Sequence, residues 1–196
     1  MILPIVAYGD PVLKKKALDI AKDYPAFDAL LLNMFDTMYN AFGVGLAAPQ
    51  VGLSIRMFVI DTDPFSEDDT LSEEEQHDLK NFRRVFINPK ITKEEGEEWA
   101  FNEGCLSIPD VREDVFRKPK ITITYLDENF EEHTEVFDGL IARVIQHEYD
   151  HIEGVLFTDK LSSLKKRLIK GKLSNISKGK ITVDYRMRFP AQKKTR

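Results

Sequence analysis

Apolar residues recur at three- and four-residue spacing in three stretches of the chain, and short β-branched or aromatic runs lie between them. Residues 24–42 (YPAFDALLLNMFDTMYNAF) put Phe27, Leu30, Leu31, Met34, Met38 and Phe42 on one stripe, an amphipathic helix that Gly43 is suited to end. Residues 138–154 (DGLIARVIQHEYDHIEG) repeat the pattern, with Asp138 at the N-cap and Gly154 as the stop. Residues 160–173 (KLSSLKKRLIKGKL) predict a third, basic helix with Leu161, Leu164, Leu168 and Ile169 on its apolar side. Segments 55–60 (IRMFVI), 85–88 (VFIN) and 120–126 (KITITYL) predict strands. Residues 133–137 (HTEVF) predict another, pairing with KITITYL across the DENFEE turn. The expected class is α+β, with small antiparallel or mixed sheets wrapped around a central, largely buried helix.

Length and composition narrow this picture. At 196 residues the chain is expected to form a single domain, 1–196, that buries roughly 70% of its unfolded surface. A hydrophobic content of 42% with 31% charged residues fits an ordinary soluble globular protein. No apolar run approaches the ~18 residues of a membrane span, and the start MILPIVAYGDPVLKKKA lacks the features of a signal peptide. One cysteine, Cys105, excludes an internal disulfide and suits a reducing compartment, so a cytoplasmic location is expected.

The net charge of −5 conceals an asymmetry. Residues 61–79 carry nine acidic groups and no Lys or Arg, which predicts an acidic surface insertion near 61–84, partly helical over SEEEQHDL. Residues 160–196 carry 13 Lys and Arg against one acid, Asp184. Such a basic helix and tail would serve either as a solubilising end or as a contact for an RNA-rich partner.

Chemistry enters with the second helix. His147 and His151 are four apart and therefore share a face, so both imidazoles can reach one ion, while Glu148 can reach a water on that ion without ligating it. Leu140 and Val144 precede them on the same face, which is therefore apolar. Catalytic metal sites of this kind use three protein ligands and leave a position open. A zinc-peptidase pattern continuing H-x-x-G-x-x-H fails here because Phe157 stands at the third position. A peptidase pattern with a later Glu fails too, because no Glu follows Asp159. The third donor must lie upstream, where Cys105 in FNEGCLSIPD is favoured over His77, in the acidic insertion, and His133, in a polar strand. One thiolate and two imidazoles suit zinc, iron, cobalt or nickel.

Three separated segments, GVGLAAPQ (43–50), EGCLS (103–107) and QHEYDH (146–151), resemble the signature motifs of the peptide deformylases. GDPVLKKKA near the start and HIEGVLFTDKLSSLKKRLI after the helix resemble that family as well, so the likeness covers roughly residues 1–170. The resemblance implies a metal-dependent hydrolase that removes the N-formyl group from formyl-methionyl nascent peptides and releases formate. It implies Cys105, His147 and His151 as ligands, Glu148 as acid/base, and the Gln50 amide and Leu106 backbone N–H as donors to the substrate carbonyl. It also implies Fe2+ as the resident ion, with Zn2+, Ni2+ or Co2+ able to replace it. Val44, Phe101, Leu140 and Val144 would line the methionine pocket, although the same side chains would serve as ordinary core. Gly45 and Gly104 would let the peptide backbone approach. The resemblance sets Arg117 near the far end of the peptide, where a plain surface role fits its context equally. A monomer is expected, with no membrane or DNA contact and with ribosome contact through the basic C-terminal region.

Overall fold

The computed structural model describes residues 1–190; the final basic residues, 191–196, lie outside the described residues. Its elements are β1 (Ile5–Val6), α1 (Phe27–Asn40), β2 (Gly45–Ala47), β3 (Met57–Asp61), α2 (Glu73–Lys80), β4 (Arg83–Glu95), β5 (Trp99–Cys105), β6 (Ile108–Arg117), β7 (Lys120–Leu126), β8 (Glu132–Phe137), α3 (Gly139–Ile152), α4 (Ser163–Ser177) and β9 (Met187–Arg188). Short 3-10 turns, among them Ala48–Val51 and Phe157–Lys160, complete it. No helix among the described residues is long and apolar enough to cross a membrane.

An antiparallel five-stranded sheet runs in the order β2-β3-β4-β7-β8. β7 and β8 pair as expected, Ile121 opposite Phe137 and Leu126 opposite Glu132, so the DENFEE segment is the hairpin turn. β5 and β6 form a separate antiparallel hairpin with Cys105 at its tip, and β1 and β9 a short parallel pair. The α+β class with small sheets is what the apolar patterning implied. α3 packs against β2, β3 and β7, burying Ala142, Ile145 and Ile152 in the cluster that holds Phe58 and Phe86. Each isoleucine so buried contributes about 1.5–3 kcal/mol, which fixes the axis of α3 beneath the site.

The two ends of α3 differ in how far they meet the expected turn chemistry. Asp138 occupies the N-cap with extended backbone but makes no side-chain cap bond. Gly154 follows the C-terminus at φ +74, and a Cβ there would lie 2.8 Å from the Lys14 backbone. Glycine is the residue that satisfies both conditions.

Two helix readings need correction. α1 ends at Asn40, and Phe42 rather than Gly43 takes the left-handed conformation, φ +55. That turns the Phe42 side chain out of the predicted stripe and leaves it 88% exposed. α4 begins at Ser163, N-capped by Ser162, so Leu161 precedes the helix and the apolar face counted from it is out of phase. The buried face is Ile169, Leu173 and Ile176, while Leu164 and Leu168 are 67% and 71% exposed. The helix also runs on to Ser177.

The acidic insertion carries the expected helix, α2, capped reciprocally by Ser72 and Glu75. Leu79 tethers it to the core.

Candidate active site

The hairpin tip and α3 meet at a cleft of about 510 Å³. Cys105, His147 and His151 offer donor atoms that all lie within 4.8 Å of one another. His151 Nε2 is 3.3 Å from Cys105 Sγ, and the two imidazole rings stand nearly perpendicular with centroids 5.1 Å apart. Phe157 is fully buried, its ring stacked on His147 at 6.1 Å. The position a zinc peptidase would use for a ligand is thus a packing residue here.

His147 is oriented from behind. Its Nδ1 lies 2.9 Å from Glu103 Oε2, which leaves Nε2 for the cleft side. A carboxylate behind a ligating imidazole fixes its ring orientation and raises its basicity. Glu103 is itself held by Arg117 (Nε to Oε1 2.7 Å, Nη2 to Oε2 2.9 Å) and by Arg143 (Nη1 to Oε1 3.0 Å). Burial alone would raise the Glu103 pKa, but the arginine and His147 outweigh it and hold it well below the carboxylate range. Burial opposes the charge on His147, yet Cys105 and Glu103 beside it raise its pKa to about 10. Burial, and then the neighbouring His147, hold the His151 pKa well below the usual imidazole range.

Glu148 is buried beside these three donors, and burial raises its pKa to about 7. A carboxyl group poised near neutrality can both take and return a proton. Its room comes from β2: a Cβ on Gly45 would lie 2.5 Å from Glu148 Oε1 and 2.8 Å from Cδ and Cγ. Gly45 therefore accommodates the carboxyl group, in addition to any peptide approach expected from the sequence.

Gln50 sits in the 3-10 turn after β2, fully buried. The Ala47 N–H donates to its Oε1 at 2.8 Å, which fixes the amide orientation. Nε2 is thereby turned toward Cys105 Sγ (3.5 Å) and Ser107 Oγ (3.4 Å).

Among the described residues, the buried side-chain polar atoms without a hydrogen-bond partner are Arg143 Nε, Glu148 Oε2 and His151 Nδ1. Two of the three belong to this cluster. A buried polar atom left unpaired costs about 1–3 kcal/mol. Of these, Glu148 Oε2 is the atom that a water on a divalent ion would pair with, and His151 Nδ1 is the ring nitrogen other than the one facing Cys105; together with the three-donor set of one thiolate and two imidazoles, the residues fit a metal.

A family profile for polypeptide deformylase matches residues 2–167. The chain belongs to the polypeptide deformylase family. It is 72% identical to a peptide deformylase of Christiangramia forsetii and 70% identical to one of Flavobacterium johnsoniae, each over 196 residues and the whole of both chains. A crystal structure of a peptide deformylase from Legionella pneumophila superposes with a TM-score of 0.77 at 37% identity, covering 92% of this chain and 98% of that one. The activity is accordingly deformylation: hydrolytic removal of the N-formyl group of nascent formyl-methionyl peptides by a metal-dependent enzyme.

Val44, Gly45, Phe101, Gly104, Leu106 and Val144 all line the cleft. Leu140 does not; it is half-buried one turn before Val144, away from the cleft wall. Arg117 does not either. It is 4% exposed, with its guanidinium committed to Glu103 and Asp150 (Nη1 to Oδ2 2.6 Å), so neither the peptide contact nor the surface role fits. Two other arginines line the cleft: Arg143 of α3, and Arg112, five residues earlier on β6 and bonded to Asn102. Glu103 and Arg143 were missed because charged residues in a sequence read as surface. Glu103 lies inside the EGCLS segment beside Cys105, and that adjacency is its sequence signal. His133 pairs with Asp127 at 2.9 Å on β8, and His77 is exposed on α2, both outside the site.

Proposed function

We propose that Cys105, His147 and His151 hold one divalent ion, that Glu148 moves the protons, and that Gln50 Nε2 and the Leu106 N–H receive the developing oxyanion. When bound, the ion supplies Lewis acidity that makes water a competent nucleophile near neutral pH. Glu148 takes a proton from the attacking water, and attack on the formyl carbon puts negative charge on the carbonyl oxygen. Gln50, its amide already oriented by Ala47, donates to that oxygen; one such donor is worth roughly 3 kcal/mol. Glu148 then hands its proton to the amine as the C–N bond breaks, giving formate and a free N-terminus. Val44, Phe101 and Val144 supply apolar surface for the methionine side chain, and Gly104 a close approach for the peptide.

The observation that carries this reading is the buried Glu148 carboxyl, one oxygen unpaired, beside a three-donor cluster. Replacing it tests the reading: Glu148→Ala should retain the metal while turnover falls at least about 100-fold. Full activity in that variant contradicts the proton-transfer role.

Family resemblance supports Fe2+ as the resident ion; the donor set itself accommodates Zn2+, Ni2+ or Co2+ as well. A single cysteine used as a ligand, together with nascent-chain substrates, supports a cytoplasmic location. We read 1–196 as one deformylase unit, acting as a monomer. The exposed basic surface of α4, with Arg167 and Lys170 flanking Leu168, supports docking near the ribosomal exit, where the substrate emerges.

A further inference from the structure

The family profile stops at residue 167, but the chain beyond α4 returns to the site. It turns at Gly179, φ +67, which lies against the Phe189 ring. It is then tied to the N-terminal strand: the Ile5 N–H donates to Arg186 O and the Ala7 N–H to Arg188 O, both at 2.9 Å, with Met187 opposite Ile5 and Arg188 opposite Val6. Between these anchors, Thr182, Val183, Asp184 and Tyr185 line the same cleft as Cys105 and Glu148.

Tyr185 makes the closest connection. Its Oη donates to the Leu106 carbonyl at 2.7 Å, and its ring packs with Leu106 against the core cluster around Met38 and Leu46. The next carbonyl, that of Ser107, accepts from the Tyr8 N–H at 2.9 Å. The turn that presents Cys105 Sγ and the Leu106 N–H is thus held on two successive carbonyls, one of them by the returning segment. By contrast, Thr182–Asp184, which line the cleft, make no backbone–backbone hydrogen bond among the described residues. Backbone without such partners among the described residues, beside a peptide cleft, is suited to pair with an extended peptide.

We propose that this C-terminal strap buttresses the Cys105–Leu106 turn and extends the cleft beyond the formyl-methionyl position. Tyr185 is a positioning residue for the Cys105–Leu106 turn, and Thr182–Asp184 bound the subsites for the peptide residues that follow the methionine. The ligand class is an extended peptide at least two residues longer than the formyl-methionyl unit. The inference rests on the deformylation reading.

The test uses the full-length, metal-loaded protein and two substrates, a formyl-Met dipeptide and a formyl-Met tetrapeptide. Tyr185→Phe, which deletes one oxygen, should lower kcat about tenfold on both substrates with KM and metal content unchanged. Replacing Thr182–Asp184 with three glycines should raise KM at least fivefold for the tetrapeptide and leave the dipeptide unaffected. Affinity for the deformylated tetrapeptide, measured by calorimetry, should fall in parallel. A Tyr185→Phe enzyme altered only in melting temperature, or a triple-glycine enzyme whose two KM values shift together or not at all, overturns the proposal. Failure of the wild type to deformylate the dipeptide would instead contradict the deformylation reading.

Discussion

Gly45→Ala is the sharpest small perturbation of this site. It adds one methyl group to β2, at a position whose backbone does not need a left-handed φ, so the consequence is steric. The new carbon would lie 2.5 Å from Glu148 Oε1 and 2.8 Å from Cδ and Cγ, against an ordinary contact of about 3.5–4 Å. The carboxyl group must retreat by roughly 1 Å. It has little room, since Glu148 is 4% exposed and rides on a helix packed against the sheet. Misplacement of a reacting group by about 1 Å lowers rate by about 100-fold. Overpacking a tight site destabilises by about 1–3 kcal/mol. The expected enzyme therefore binds metal normally, because Cys105, His147 and His151 are not displaced. It should melt several degrees lower and release formate about 100 times more slowly, with the loss in kcat. Formate release under saturating substrate, with metal analysis of the same sample, is the assay. A Gly45→Ala enzyme with kcat within a factor of three of wild type would refute the claim that this glycine exists to seat Glu148.

Other expectations follow from the same geometry. Glu103→Gln leaves buried Arg143 without a carboxylate and Arg117 with Asp150 alone, and should cost about 3–5 kcal/mol in chemical denaturation, with weaker metal retention as His147 loses its orienting partner. Because the Glu103 pKa is held below its ordinary value when folded, its stabilisation is complete above about pH 4.3 and drains away as the pH falls further. Wild type should therefore lose stability on acidification below that pH more steeply than Glu103→Gln, and equal slopes would argue against the ion-pair account. Gln50→Ala removes the oriented amide donor and should reduce kcat about 100- to 1,000-fold while metal stays bound.

The α3 helix was legible because its signal is local: two histidines one turn apart, an apolar flank and a terminal glycine all fall within residues 138–154. β7 and β8 were legible because alternation is local as well. What escaped is set by distant partners. β5 and β6 place Glu103 and Arg117 inward although both are charged, since each neutralises the other in the interior; no periodicity reveals that. The same logic misplaced Arg117, whose partners Glu103 and Asp150 come from another strand and a helix. The phase of α4 was misread because Leu161 is apolar and adjacent, yet lies before the N-cap. The return of residues 182–188 to β1 and the cleft depends on a two-residue parallel pairing and one tyrosine hydroxyl. A basic, glycine-interrupted tail carries no hint of that.

The central claim is that three donors from two distant segments hold a metal that serves deformylation. Its most direct test is anaerobic metal analysis paired with formate release from a formyl-Met peptide, on wild type and Cys105→Ser. The account predicts about one divalent ion per wild-type chain with formate produced, and loss of most of both in Cys105→Ser. A Cys105→Ser protein that keeps its metal and its formate release at wild-type levels would contradict it.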